Sequence, residues 1–272
     1  MFIKVGVESV GPLTLASARL GIAAVILYTW LRSRGYRLPR DARSWGVVAF
    51  VGLVGNALPF TLLSWGEIYI DSGLAAVLMG VMPITTAMLA HSFIREEPFT
   101  LRIGLGIALG FGSVAALLGP DALAGLTAPI LAQLAIVLCA VCYGASATFV
   151  RYFAQPANWP SLASGAMVAA FIWSLPATLI FEAPWTLQPE PEAIVAMLYL
   201  GIGSTAVANL IFFYLIPRIG ANRFAQVNYL VPVLGALWGA IFLKEQLSLG
   251  LLLALALILI AVAVIQPRKS GS

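Results

Sequence analysis

Two stretches of the sequence, PITTAMLAHSFIRE at residues 83–96 and PVLGALWGAIFLKE at residues 232–245, share one pattern. Each begins with a proline inside an apolar run and ends, thirteen residues later, on a glutamate preceded by a basic residue. The two prolines are 149 positions apart, and Gly52 and Gly201 match at the same offset. A proline, a helix end and a glycine that recur in one register indicate an internal duplication.

The composition around these stretches is that of a membrane protein. Of 272 residues, 61% are hydrophobic and only 10% are charged, and the mean hydropathy is +0.98. A soluble domain has about a quarter of its residues charged, so most of this exterior must face lipid. The basic residues lie in short loops and form no continuous stripe, which argues against a nucleic-acid partner as the reason for the pI near 9.3.

The apolar runs have the length of transmembrane helices. A hydrocarbon layer of about 30 Å needs roughly 20 helical residues. Because the runs are apolar all round and do not alternate, they predict helices and not barrel strands. The sequence thus predicts an all-α polytopic membrane protein with nine visible spans: 12–31, 45–66, 72–94, 100–118, 129–150, 161–181, 193–216, 222–243 and 247–265.

Lysine and arginine fall almost entirely into one set of alternate loops. Twelve of the fifteen basic residues lie there or in the C-terminal tail, two lie in the opposite loops, and Arg19 lies inside a span. By the positive-inside rule the first set, and with it the C-terminus, is expected in the cytoplasm, as in a multi-pass protein of the inner membrane.

The duplication predicts ten helices. The second half holds five spans and the first half only four, although Phe2-Ile3-Lys4 resembles Phe149-Val150-Arg151, which ends the fifth visible span. We therefore expect that this chain lacks most of a first helix. Five spans are an odd number, so the two halves are predicted to be inverted repeats, at 1–120 and 128–266, followed by a cytoplasmic tail at 267–272.

Short motifs along the whole chain resemble those of EamA-type members of the drug/metabolite transporter superfamily. They are Ile3-Lys4 at the end of the first helix, Pro12 to Ala18-Arg19-Leu20, Arg95-Glu96-Glu97-Pro98 and Lys244-Glu245-Gln246. The resemblance implies a ten-helix fold and the export or exchange of small metabolites, prominently amino acids, by alternating access between inverted halves.

Polar and aromatic residues at mid-span are the candidates for a substrate cavity. Polar side chains within the membrane usually face the interior of a bundle, where they line a cavity or hydrogen-bond between helices. Deep aromatic and methionine side chains either form an apolar pocket or serve packing. The cavity candidates are Asn56, Met79, Tyr143, Trp173, Thr205, Asn209, Gln226, Asn228 and Tyr229.

Two prolines and three charged or titratable residues complete the candidate set. Pro83 and Pro232 occupy equivalent mid-span positions, where each frees a main-chain carbonyl, so they are predicted hinges. Arg19 would contact a substrate carboxylate, or would anchor the helix by pairing with Glu8 or Glu67 near the outer end. His91 could titrate in a proton cycle or serve packing.

A cavity of amides, hydroxyls and aromatic faces suits a zwitterionic or uncharged metabolite with an apolar part. We therefore expect a small-molecule substrate such as a neutral or aromatic amino acid, within a lipid bilayer and without a cofactor or metal. Export of other metabolites or drugs is the alternative. A channel or an intramembrane enzyme is less compatible, because the sequence has no filter motif, zinc motif or mid-depth carboxylate pair. A non-transporting subunit remains an alternative, although a duplicated bundle rarely needs a partner to form a pathway.

Overall fold

The computed structural model describes residues 2–70, 72–124, 129–154 and 158–230, with a few isolated positions between 253 and 264. Over these residues the chain is helical and contains no strand. The helices are α1 (Phe2–Ser9), α2 (Pro12–Ser33), α3 (Ala42–Tyr69), α4 (Ser72–Met79 and Val81–Phe93), α5 (Leu101–Ala124), α6 (Ile130–Phe153), α7 (Trp159–Phe181), α8 (Pro191–Ile219) and α9 (Ala221–Ala225).

The described helices have the dimensions of membrane spans. Six of them, α2, α3, α4, α6, α7 and α8, are long and apolar enough to cross a bilayer. The all-α, multi-pass membrane class is therefore confirmed. The predicted span 222–243 begins with α9 and lies outside the described residues beyond 230, as does nearly all of 247–265.

One boundary was wrong. The sequence placed the end of the first helix at Ile3-Lys4, but α1 continues to Ser9. The chain between Lys4 and Ser9 contains no proline, and the first strong helix breaker is the Gly11-Pro12 pair.

Local sequence explains where the spans begin. The first turns of α2, α7 and α8 contain Pro12, Pro160 and Pro191. Main-chain N–H groups in a first turn have no partner within the helix, so a proline there costs no hydrogen bond. Asp41 precedes α3, and its carboxylate accepts a hydrogen bond from the Ser44 main-chain N–H at 2.7 Å. This bond lowers the pKa of the Asp41 carboxyl.

Helix α7 lies at the centre of the packing. Helices α2 and α3 both pack along it, while the second part of α3 and the second segment of α4 pack on α6. Gly52 allows α3 to approach α7 closely, because a Cβ at this position would lie 2.8 Å from the Ala170 main-chain nitrogen. Gly201 similarly brings α8 against α2, where its Cβ would lie 2.8 Å from Ile22.

Two long helices contain a π-helical turn near their middle. The turn in α3 spans Leu53–Ala57, and the turn in α8 spans Leu200–Val207. Asn56 lies in the first and Thr205 in the second. Such turns shift the main-chain hydrogen bonds by one residue and often occur at functional sites.

Helix α4 is broken at Gly80. Pro83 has no N–H, so the Met79 carbonyl loses its helical partner and instead accepts from Asn228 Nδ2 at 2.8 Å. The next carbonyl, Gly80 O, accepts from the Tyr229 hydroxyl at 3.3 Å. In both bonds the two residues are 149 positions apart, which is also the offset between the two matching stretches of sequence.

Candidate functional site

A cavity of about 530 Å³ lies between α3, α4, α6, α8, α9 and the residues that follow α9. This volume is in the range of small-molecule sites, about 300–1,000 Å³. The lining residues are Gly55, Asn56, Phe60, Leu63, Glu67, Ala75, Ala76, Met79, Met82, Tyr143, Ser204, Thr205, Ala208, Asn209, Phe212, Phe224, Val227 and Asn228.

Six of the nine predicted cavity residues line this space. They share a mid-span position in the sequence and reach the cavity from four helices and from the residues that follow α9. They are Asn56, Met79, Tyr143, Thr205, Asn209 and Asn228. Polar and apolar candidates thus meet at one place, although they are up to 172 positions apart in the sequence.

Each of the three asparagines is held by a main-chain carbonyl. Asn56 Nδ2 donates to Val51 O at 3.0 Å, and Asn209 Nδ2 donates to Ala163 O of α7 at 3.0 Å. Asn228 Nδ2 donates to Met79 O, as described above. Because only the amide nitrogen can donate to a carbonyl, these bonds orient the three side chains.

Arg19 lies behind the cavity wall, with 4% of its surface exposed. Its Nε donates to Thr205 Oγ1 at 2.9 Å, and an NH₂ group donates to Ser204 Oγ at 3.1 Å. The guanidinium carbon lies 3.9 Å from the centre of the Phe60 ring, a cation–π distance. Arg19 therefore supports the π-helical turn of α8 from the side of α2.

The other charged candidates lie at different depths. Glu67 lies on the cavity wall, 7% exposed, and its charge attracts that of Arg19. His91 is exposed at the end of α4, where its Nδ1 accepts a hydrogen bond from the Phe99 main-chain N–H at 3.1 Å. His91 thus holds the loop after α4 and is not among the residues that line the cavity. The side chain of Glu8 lies outside the described part of the chain.

Three cavity candidates are not among the lining residues. Gln226 and Tyr229 are buried beside the cavity, and Tyr229 packs on Gly110 of α5. Trp173 is 50% exposed on α7 and is directed away from the core. Of the two predicted hinges, Pro83 follows the break in α4, and Pro232 lies outside the described residues.

Much of the apolar wall was missed by the sequence analysis. Phe60, Met82, Phe212 and Phe224 line the cavity, together with Ser204. In spans where nearly every residue is apolar, hydropathy does not distinguish a side chain that faces a cavity from one that faces lipid. The two π-helical turns were not predicted from the sequence either.

Two carboxylates fasten helix ends outside the cavity. Glu97 accepts hydrogen bonds from the main-chain N–H groups of Ala221 and Asn222 at 3.0 and 2.9 Å, and from Arg151 Nε at 2.9 Å. We call these four residues the Glu97 clasp.

At the other end of α7, Glu182 accepts from the main-chain N–H groups of Leu13 and Thr14 at 2.9 and 2.7 Å. We call these three residues the Glu182 clasp. The two clasps lie at opposite ends of the bundle, because α7 begins near Arg151 and ends next to Glu182.

Comparison with known proteins shows the family of the chain. The chain matches the EamA-like transporter family twice, over residues 1–119 and 130–266. It is 29% identical over 251 residues to an uncharacterized transporter of Archaeoglobus fulgidus, with 91% of this chain and 86% of that protein covered.

Two further relatives have more specific names. A probable terminal-alkyne amino-acid exporter of Streptantibioticus cattleyicolor is 26% identical, over 89% of this chain and 80% of that protein. The uncharacterized inner membrane transporter YedA of Escherichia coli is also 26% identical, over 90% of this chain and 78% of its own length.

A solved crystal structure shares the fold. Its TM-score is 0.77 at 21% sequence identity, and the match covers 96% of this chain and 90% of that chain. The two family matches confirm the resemblance inferred from short motifs. The chain belongs to the EamA-like transporter family.

Proposed function

We propose that this transporter exports or exchanges neutral or aromatic amino acids across the inner membrane through the central cavity. The observation that carries the proposal is the composition of the cavity wall. Three amides and two hydroxyls lie on the same wall as Phe60, Tyr143, Phe212 and Phe224, so one cargo molecule finds both polar partners and an apolar surface. The name of the amino-acid exporter of Streptantibioticus cattleyicolor supports the same cargo class.

Alternating access between two inverted five-helix repeats is the mechanism that we propose. In a two-fold arrangement, equivalent residues of the two halves contact each other only at the symmetry axis. The bonds between Asn228 and Met79 and between Tyr229 and Gly80 join residues at the duplication offset of 149. They support an axis that passes between α4 and the residues that follow α9, at the edge of the cavity. The two separate family matches support the repeats at 1–120 and 128–266.

The orientation of the protein in the membrane is part of the same proposal. The face that carries most of the arginines, including Arg151, is placed in the cytoplasm by the positive-inside rule, together with the C-terminus. The name of the inner membrane relative YedA supports the membrane assigned here.

Counterflow in proteoliposomes tests the proposal. Vesicles loaded with one unlabelled amino acid should accumulate the labelled form transiently and saturably, across a panel of neutral and aromatic amino acids. Ala208 lines the cavity, whereas its neighbour Val207 is 50% exposed and does not. We therefore expect Ala208→Phe to abolish counterflow and Val207→Phe to preserve it.

Two outcomes would contradict this function. Uptake that rises linearly with concentration, without counterflow, would indicate a channel. Equal activity of Ala208→Phe and Val207→Phe would show that the cargo does not pass through this cavity.

Export of other apolar metabolites or drugs is a second candidate. It is favoured by the apolar part of the wall, to which Leu63, Met79 and Met82 also contribute. Counterflow of an uncharged aromatic compound, with no counterflow of any amino acid, would select this candidate.

A further inference from the structure

Three asparagines on the cavity wall have an amide oxygen to which no other described residue donates a hydrogen bond. Asn56 donates one amide N–H to the Val51 carbonyl of its own helix, and Asn209 donates one to the Ala163 carbonyl of α7. Asn228 does the same with Met79 O. Each bond uses one of the two N–H donors of the amide and leaves its oxygen, which can accept from a molecule in the cavity.

An ammonium group is the natural partner of such a set. It carries three N–H donors and no acceptor, and amide oxygens accept from it without placing a full negative charge in the membrane. A carboxylate that approached the same amide oxygens would meet their lone pairs and be repelled. The asparagine part of the cavity is therefore suited to the positive end of a cargo molecule.

Thr205 presents the opposite polarity. Its Oγ1 accepts from Arg19 Nε, so the hydroxyl proton must point away from Arg19. The neighbouring hydroxyl of Ser204 accepts from the same guanidinium but donates to Leu200 O at 3.0 Å. No described residue accepts a hydrogen bond from the Thr205 hydroxyl. Because Thr205 lies on the cavity wall, its proton can be donated to a molecule in the cavity.

The charge of Arg19 strengthens this donor. A buried guanidinium in a span is costly unless it has partners, and here its hydrogen-bonded partners are hydroxyls. A hydroxyl that accepts from a cation becomes a better donor, because the hydrogen bonds of a chain polarise one another. The Thr205 side of the cavity is therefore suited to an anionic oxygen.

We propose that the cavity recognises the two charged groups of an α-amino acid separately, the ammonium through the amide oxygens of Asn56 and Asn209 and the carboxylate through the Thr205 hydroxyl backed by Arg19. Asn228 adds a third amide oxygen. The aromatic wall then accepts the side chain of the cargo. This assignment rests on the amino-acid transport proposed above and names the residues that would select for a zwitterion.

The first test uses the protein without substitution. L-phenylalanine, phenethylamine (which lacks the carboxylate) and 3-phenylpropionate (which lacks the ammonium) compete with labelled L-phenylalanine in counterflow. We expect both analogues to compete at least about tenfold more weakly than phenylalanine, because each leaves one polar part of the site unmatched. Equal competition by the three compounds would overturn the assignment.

Two substitutions then test the ammonium part and the carboxylate part of the site separately. Asn209→Leu should weaken competition by phenylalanine and phenethylamine about tenfold and leave 3-phenylpropionate unchanged. Thr205→Val should weaken competition by phenylalanine and by 3-phenylpropionate and leave competition by phenethylamine unchanged. Thr205→Ser keeps the hydroxyl and should show the competition pattern of the unsubstituted protein. A variant that weakens all three compounds equally, in protein with unaltered unfolding, would contradict the separate roles.

Failure of the underlying function has a different signature. If no amino acid shows counterflow with correctly inserted protein, the proposed function falls and the assignment with it. If phenylalanine shows counterflow but the analogues compete as well as phenylalanine does, amino-acid transport stands and the assignment alone is wrong.

Discussion

The Glu97 clasp and the Glu182 clasp close opposite ends of the bundle with the same chemistry but not with the same strength. Each carboxylate accepts from two consecutive main-chain N–H groups at the start of a helix from the other half of the chain. These N–H groups have no helical partner, and the positive end of the helix dipole favours a carboxylate there. Both clasps therefore join the two halves.

The difference lies in what surrounds the carboxylates. Glu97 also pairs with Arg151, whose Nη1 donates to Pro217 O at 3.1 Å in the last turn of α8. Gly220, beside the Glu97 clasp, adopts a positive φ of 92°, which glycine tolerates. Ala183, beside Glu182, adopts a positive φ of 41°, which is strained for alanine. The same device is thus reinforced on the arginine-rich face and strained on the other.

The largest effect is expected for Gly220→Ala. The added Cβ would be forced into a positive φ and would lie 2.7 Å from Glu97 Oε1, so the free energy of unfolding should fall by about 2–4 kcal/mol. Gly35→Ala is the matched control, because Gly35 has a φ of 77° but nothing within 4 Å of the Cβ position. Equal losses in the two variants, measured by unfolding in mixed detergent, would show that contact with Glu97 adds nothing.

Next, Glu97→Gln should destabilise more than Glu182→Gln. The first removes an ion pair and weakens two charge-assisted hydrogen bonds, at about 2 kcal/mol. The second weakens two such bonds only, at about 1 kcal/mol. The same unfolding measurement ranks the two variants, and a reversed order would remove the distinction between the clasps.

A smaller, stabilising effect is expected for Ala183→Gly. Glycine relieves the positive φ, which should add about 1 kcal/mol to the free energy of unfolding. Ala154→Gly provides the contrast, because Ala154 ends α6 with an ordinary φ of −81° and should only lose stability. A loss of stability in Ala183→Gly would show that this turn is not strained.

The smallest effect is the coupling between Glu97 and Arg151. The Arg151 side chain is 28% exposed, so the double-mutant cycle of Glu97→Gln and Arg151→Gln should give a coupling of only about 0.5–1 kcal/mol. The cycle of Glu182→Gln and Arg151→Gln should be additive, because these residues lie at opposite ends of α7. Coupling in the second cycle would indicate that the clasps communicate through the bundle.

Sequence reasoning predicted the polar part of the cavity better than the rest. Asn56, Thr205 and Asn209 are polar groups in apolar spans, and the absence of water in the bilayer directs such groups inward. Trp173 satisfied the same mid-span criterion but is half exposed, because an aromatic ring is equally compatible with lipid. For the same reason Phe60 and Phe212, which line the cavity, had no distinguishing signal.

The role of Glu97 shows another boundary of sequence reasoning. The motif Arg95-Glu96-Glu97-Pro98 marked a helix end and a family resemblance, but it did not say which glutamate caps a helix or which helix is capped. Glu182 was only one of several acidic residues in the loops opposite the arginine-rich set. Both roles depend on a helix start more than 120 positions away in the sequence.

The sequence by itself determined the membrane class, the limits of most spans, the arginine-rich face and the register of the two matching stretches. These properties follow from hydropathy, charge and proline positions, which are local to each segment. Only the tertiary structure decided how Arg19 meets Thr205, how Asn228 meets Met79 and how Glu97 meets α9. Such contacts depend on the rotation and depth of each helix relative to its neighbours, which uniformly apolar sequences leave to side-chain packing.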